Sequence, residues 1–307
     1  MKGTKRIATG RGLLVLLAVA LGTLATATYG QNSSYPPVIP GALAEVYRSA
    51  DSGDLKAWIF EPEGHSAEDE RPAIVFFFGG GWNSGTPTQF VPQSRHLAQR
   101  GMVAIVVDYR VRSRQGTLAN VAVSDAKAAV RWVRTHADRL GIDPDRIAAG
   151  GGSAGGHLAA ATTMLPGNDD TETTAKISPA ADALVLFNPA LILAHYDGET
   201  DLEAEKLDNL RPRLGSEPES MSPYHNVRPG LPPTIIFHGK TDKTVPYRHA
   251  ELFADAMVAA GNRCELVGYE DQGHGFFNQK RGDGSSYRDT TRRMDEFLVS
   301  LGWLDQL

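Results

Sequence analysis

Three separated stretches of the chain carry side chains that could share one reaction. In RIAAGGGSAGGHLAAAT, Gly151, Ser153 and Gly155 form GxSxG directly after a strand-like run and directly before an alanine-rich helical run. That spacing describes a tight strand-to-helix turn: glycines remove side chains where backbones crowd, and the serine hydroxyl is left exposed in an unusual backbone conformation above a helix N-terminus. FHGKTDKTVPY places Asp242 just past another apolar run, and YEDQGHGFFN places His274 in a loop beyond the last one. A serine, a histidine that takes its proton, and a carboxylate that fixes the histidine tautomer make a nucleophilic relay, and here they occur in the chain order Ser153, Asp242, His274. Glu270 and Asp271 also precede His274, but both are so near it in sequence that they fit the loop wall better than the orienting role.

A fourth stretch, FFFGGGWNSG, puts Gly79, Gly80 and Gly81 after a strand ending in Phe78. Free backbone N–H groups in such a turn can converge on a developing oxyanion, and the N–H of Ala154 adds a donor beside Ser153. A phosphate-binding loop is also glycine-rich, but no Lys-Ser or Lys-Thr pair follows, which argues against phosphoryl transfer. The histidines show no ligand spacing such as HExxH, and Cys264 is the only cysteine, so neither a metal nor any other cofactor is expected. His157, four residues past the serine, fits a buried packing role, and His238 fits support of the loop that carries Asp242.

These residues can meet only if the sheet brings strand ends together. From residue 43 onward, short apolar runs alternate with amphipathic ones, the pattern of a mostly parallel sheet covered by helices on both faces. Two weaker strands are expected near 44–49 and 54–60. Largely continuous apolar strands follow at 73–78, 102–109, 146–150, 181–188, 234–239 and 263–269. Helices are expected at about 89–100, 118–139, 154–164, 247–260 and 286–302. In the second, Ala122, Ala126, Ala129, Val130 and Val133 recur at helical spacing, with Gly141 and Asp143-Pro144 closing it. The stretch 190–223 breaks the rhythm: eight acidic residues against three basic ones mark a polar insertion after the sixth strand, suited either to wall a site or to stand in solvent.

Composition narrows the function classes. The 307 residues are 22% charged and 41% hydrophobic, with a net charge of -5, so nothing attracts a polyanion such as nucleic acid. Lys2, Lys5, Arg6 and Arg11 precede an apolar run that ends in small residues, the order of an export signal, with cleavage expected after Ala27. A retained N-terminal anchor is the alternative, and no second membrane segment is expected. Removing residues 1–27 leaves 27 basic groups against 36 acidic ones, an acidic exported product with a net charge of -9 in the periplasm or outside the cell. Residues 28–42, rich in Ser, Pro and Gly, are expected to be a linker into a domain at 43–307.

Together these marks resemble the α/β-hydrolase family, in its esterase and lipase branch with an HGGG-type loop, close to carboxylesterases and acetyl xylan esterases. The resemblance covers roughly residues 43–305. It is carried by Phe78 to Trp82, Asp108-Tyr109-Arg110, Gly151 to His157, Ser222-Pro223, His238-Gly239 with Asp242, and Gly273 to Phe276. It implies an eight-stranded α/β-hydrolase sheet, oxyanion donors at Gly80, Gly81 and Ala154, and structural support from Asp108 and Arg110. The family's usual histidine before the three glycines is Phe78 here, a change expected to alter loop packing more than mechanism, since the donors are backbone amides. The implied activity is hydrolysis of short acyl, especially acetyl, esters of carbohydrates through an acyl-enzyme, with Trp82 and Tyr196 walling the substrate. A general small-ester carboxylesterase or lipase is the alternative. A peptidase is disfavoured for want of a large additional domain, and a non-catalytic binding module by the intact triad. Substrates are therefore expected among small esters or acetylated polysaccharides, and oligomeric state is left open.

Overall fold

Central strands with hydrophobic residues at every position demand cover on both faces, and the sheet answers with two cores. In Arg71–Phe77 (β3), Ala73, Val75 and Phe77 enter one hydrophobic cluster while Ile74 and Phe76 enter the other. The computed structural model describes Met1 and residues 35–167 and 177–306; residues 2–27 of the expected export signal and residues 28–34 of the expected linker lie outside them.

Eight strands form one sheet: Leu43–Arg48 (β1), Leu55–Phe60 (β2), β3, Val103–Val107 (β4), Ile142–Gly152 (β5), Ala183–Phe187 (β6), Thr234–Gly239 (β7) and Cys264–Tyr269 (β8). Their order is β1-β2-β4-β3-β5-β6-β7-β8. β2 runs antiparallel to β1 and β4, and every other pairing is parallel, so the C-terminal ends of β3, β5, β7 and β8 share one edge. This is the α/β-hydrolase fold. The α-helices among the described residues are Val91–Gln99 (α1), Arg112–Gln115 (α2), Ala119–Thr135 (α3), Ala154–Met164 (α4), Asp201–Leu210 (α5), Pro218–Met221 (α6), Tyr247–Ala259 (α7) and Ser285–Ser300 (α8). The Ala and Val stripe of α3 is buried throughout.

The structure departs in places from the sequence expectation. α3 stops at Thr135 rather than 139, and Asp143-Pro144, expected to close the helix, already lies in β5. β8 is an edge strand in which no residue is fully buried and Glu265 is exposed, whereas every residue of its neighbour β7 is buried. The polar insertion contains α5, whose start is set by a capping box: the Thr200 hydroxyl accepts from the Glu203 N–H, and Glu203 accepts from the Thr200 N–H at 2.8 Å. Before β1, Ile39 is buried and the Tyr35 hydroxyl donates to Asp108, so residues just ahead of the first strand pack onto the sheet.

Candidate active site

β5 ends at Gly152 and α4 begins at Ala154, so the reversal falls on Ser153, at φ 55° and ψ -120°. That conformation costs a non-glycine residue about 1–3 kcal/mol and persists only when its surroundings fix it. The Ser153 N–H donates to the Phe187 carbonyl at 2.9 Å, and the Ser153 carbonyl accepts from His157 and Ala190 N–H at 3.0 and 3.2 Å. Gly155 has no alternative: a Cβ there would stand 2.0 Å from the Phe77 carbonyl oxygen, so only glycine lets the helix start against β3.

The tips beyond β7 and β8 complete the constellation. His274 Nδ1 lies 2.7 Å from Asp242 Oδ2, and His274 Nε2 lies 3.0 Å from Ser153 Oγ. An acceptor at Nδ1 places the proton there and leaves Nε2 free to take one from the serine. The other Asp242 oxygen accepts from the N–H groups of Thr244 and Val245 at 2.8 and 3.0 Å. Burial alone would raise the Asp242 pKa, but bonds with His238, His274 and Val245 outweigh it and hold the carboxyl well below the usual range. The competing acids stand apart: Glu270 pairs with Lys240 at 2.5 Å in solvent, and Asp271 is exposed.

Gly80 and Gly81 take φ values of 129° and 61°. Neither N–H meets an acceptor among the described residues, whereas the neighbouring Gly79 N–H donates to Gln89 Oε1 at 2.6 Å. Ala154 opens α4, where N–H groups lack an intrahelical partner. Phe78 stacks on Tyr109 with ring centroids 4.0 Å apart, and the Tyr109 hydroxyl donates to the Phe78 carbonyl, so the position of the family's histidine holds the loop by packing. Asp108 accepts from the Tyr109 N–H, and Arg110 makes a forked pair with buried Asp125 at 2.7 and 2.9 Å.

The expected wall residues are placed differently. Trp82 is 5% and Tyr196 8% exposed, so neither stands open at an entrance. Trp82 donates through Nε1 to His157 Nδ1 at 3.3 Å, and His157 Nε2 reaches the Met221 carbonyl at 2.8 Å. His157 is thus a satisfied core residue, and burial lowers its pKa to about 4. Tyr196 packs edge-on against His249. A cavity of about 330 Å³ lies instead between the insertion and the loop after β7, lined by Ile192, Leu207, Arg213, Val245 and His249 among others.

Several supports had no signature in the sequence. Gln89 spans two loops, accepting from Gly79 N–H and donating to Asn278 Oδ1 at 3.1 Å, and Asn278 in turn donates to the Gly275 carbonyl beside His274. Asn188, at the end of β6, accepts from Gly275 N–H at 2.9 Å. Arg213 of the insertion donates to the Gly81 carbonyl. Only Asn188, a polar residue at a strand end, offered a cue. Among the described residues no group of three or more His, Cys, Asp or Glu is placed to hold a metal, and no helix is long and apolar enough to cross a membrane.

A sheet of this order, with a strained serine at the β5–α4 turn and a histidine held between it and a carboxylate, defines the class: a serine hydrolase of α/β-hydrolase fold. Comparison with known proteins then places it more closely. The BD-FAE family model matches residues 59–257, and the chain belongs to that family; a second model, the dienelactone hydrolase family, matches residues 215–306. The chain is similar to the isoprenylcysteine alpha-carbonyl methylesterase ICME of Arabidopsis thaliana, 30% identical over 66% of this chain and 50% of that protein. It is also similar to carboxylesterase NlhH of Mycobacterium tuberculosis, 28% identical over 68% of each. It spans about half the length of the methylesterase relatives it matches. Among solved structures, esterase 2 of Thermogutta terrifontis is 52% identical, with a TM-score of 0.84 over 89% of this chain and 100% of that one, in a form phosphonylated by sarin. The same esterase is known with butyrate bound, at a TM-score of 0.84.

Proposed function

We propose that this protein is a serine carboxylesterase acting on small, short-chain esters through a Ser153–His274–Asp242 acyl-enzyme mechanism. The observation that carries the reading is His274 spanning Asp242 and Ser153 at 2.7 and 3.0 Å. Ser153 Oγ attacks the ester carbonyl as His274 Nε2 takes its proton, and the oxyanion is met by the N–H groups of Gly80, Gly81 and Ala154. His274 passes the proton to the departing alcohol. It then deprotonates a water that cleaves the acyl-enzyme, and Ser153 recovers its proton as the acid leaves. Asp242, kept ionised, holds the imidazole tautomer and stabilises the imidazolium.

The relatives support short acyl groups: the Thermogutta terrifontis esterase binds propionate and butyrate. Acetyl esters of carbohydrates are a second reading, favoured by the polar groups around the cavity, among them Glu203, Lys206, Asn209 and Arg213. Export with loss of residues 1–27 is part of the proposal, and the intact mass of the protein recovered from its native compartment tests it. For activity, a fluorophosphonate probe should label the wild-type protein and not Ser153→Ala. Turnover of p-nitrophenyl acetate and butyrate, compared with acetate release from acetylated xylan, separates the two substrate readings. Folded wild-type protein that neither labels nor turns over any of these sinks the esterase assignment.

A further inference from the structure

The cavity beside the triad is lined by none of the three triad residues, yet three of its wall residues are one hydrogen bond from the chemistry. Ala190 N–H donates to the Ser153 carbonyl, Val245 N–H to Asp242, and Arg213 to the Gly81 carbonyl. Ile192, Leu207 and Pro246 give it an apolar body, and Glu203 and His249 give it a polar wall. The His249 side chain is only 7% exposed, but its Nε2 has no hydrogen-bond partner among the described residues. The nearest carboxylate oxygen, Glu203 Oε1, is 3.7 Å away, too far for a bond.

Both groups are fixed in place and in charge. Glu203 Oε2 accepts from the N–H and the hydroxyl of Thr200 at 2.8 and 2.7 Å. Burial would raise the Glu203 pKa, but those donors, together with the nearby Tyr196 hydroxyl and His249, outweigh it and leave the carboxylate ionised and able only to accept. Burial lowers the His249 pKa to about 4 against the pull of the Glu203 charge, so the imidazole is neutral near pH 7 and keeps one N–H. A buried polar atom left unpaired is destabilising, and a ligand that pairs it recovers that loss.

We propose that Glu203 and His249 are the hydroxyl-reading wall of the substrate cavity, so that the preferred ester carries a free hydroxyl bridging Glu203 Oε1 and His249 Nε2. The hydroxyl donates to the carboxylate and accepts from the imidazole N–H. It can belong to the acyl part or to the alcohol part of the ester, and the two are separable by experiment. The proposal rests on the esterase reading and sharpens it from small esters to hydroxylated ones.

The test is kcat/KM for two matched pairs: p-nitrophenyl butyrate against p-nitrophenyl 3-hydroxybutyrate, and propyl butyrate against glyceryl monobutyrate. Wild type should favour the hydroxylated member of one pair by about tenfold. In His249→Leu that ratio should fall to near one, and in Glu203→Gln to an intermediate value. The pair that responds identifies which part of the ester carries the hydroxyl. If His249→Leu does not fold, His249→Gln and Glu203→Gln decide. Ratios unmoved by these substitutions in both pairs overturn the hydroxyl-reading wall, provided Ser153→Ala is inactive. Turnover surviving in Ser153→Ala instead overturns the esterase reading beneath it.

Discussion

The turn that carries Ser153 and the insertion that walls the neighbouring cavity are made from different materials. At the turn, position is set by backbone: strand register, glycines with no room for a Cβ, and peptide hydrogen bonds to Ser153 from both sides. In the insertion it is set by side chains: the Thr200–Glu203 box, the Arg213 bond to Gly81, and Ser222, whose hydroxyl accepts from the Leu193 N–H and clips the two ends of the segment together. Backbone geometry tolerates almost no substitution and suits chemistry that every substrate shares. Side-chain geometry can change one residue at a time and suits selection among substrates.

Substitutions that test this division range from the largest expected effect to the smallest. Ser153→Ala or His274→Ala should lower kcat for p-nitrophenyl butyrate by about 10⁴-fold or more while the protein stays folded. Asp242→Asn should lose about as much through the wrong tautomer. At the backbone, Gly155→Ala must move β3 or α4, and thermal unfolding should show a loss of about 3 kcal/mol or failure to fold. A Gly155→Ala protein as stable as wild type would break the contrast.

Gln89→Leu tests the side-chain bridge between the Gly79 and His274 loops, and kcat should drop about tenfold with KM little changed. Acid should act on the buried histidine behind the turn. His157 has a folded pKa near 4 against 6.5 when exposed, so its stabilising contribution is complete above pH 6.5 and is lost as pH falls toward 4. The decline of Tm across that window should be shallower in His157→Gln. The smallest effect belongs to the exposed Arg211–Glu217 pair of the insertion, where Arg211→Ala should shift stability by less than about 0.5 kcal/mol. A large shift there would give the insertion a rigidity that its solvent-exposed pairs do not supply.

The sequence by itself determined the strand and helix rhythm, because apolar runs covered on both faces and helical stripes are local patterns that burial rewards wherever they fall. It also determined the glycine-flanked serine and the order Ser153, Asp242, His274, since those residue types at strand ends have few other uses. The tertiary structure decided what depends on neighbours far along the chain. It separated Asp242 from Glu270 and Asp271 by distance to His274, and it turned Trp82 and Tyr196 inward. It joined Gln89 to Asn278 across 189 positions, and it set an unpaired His249 nitrogen 3.7 Å from Glu203. Such pairings leave no periodic trace in the chain. They exist only after the sheet has brought its strand ends, and the loops beyond them, to one edge.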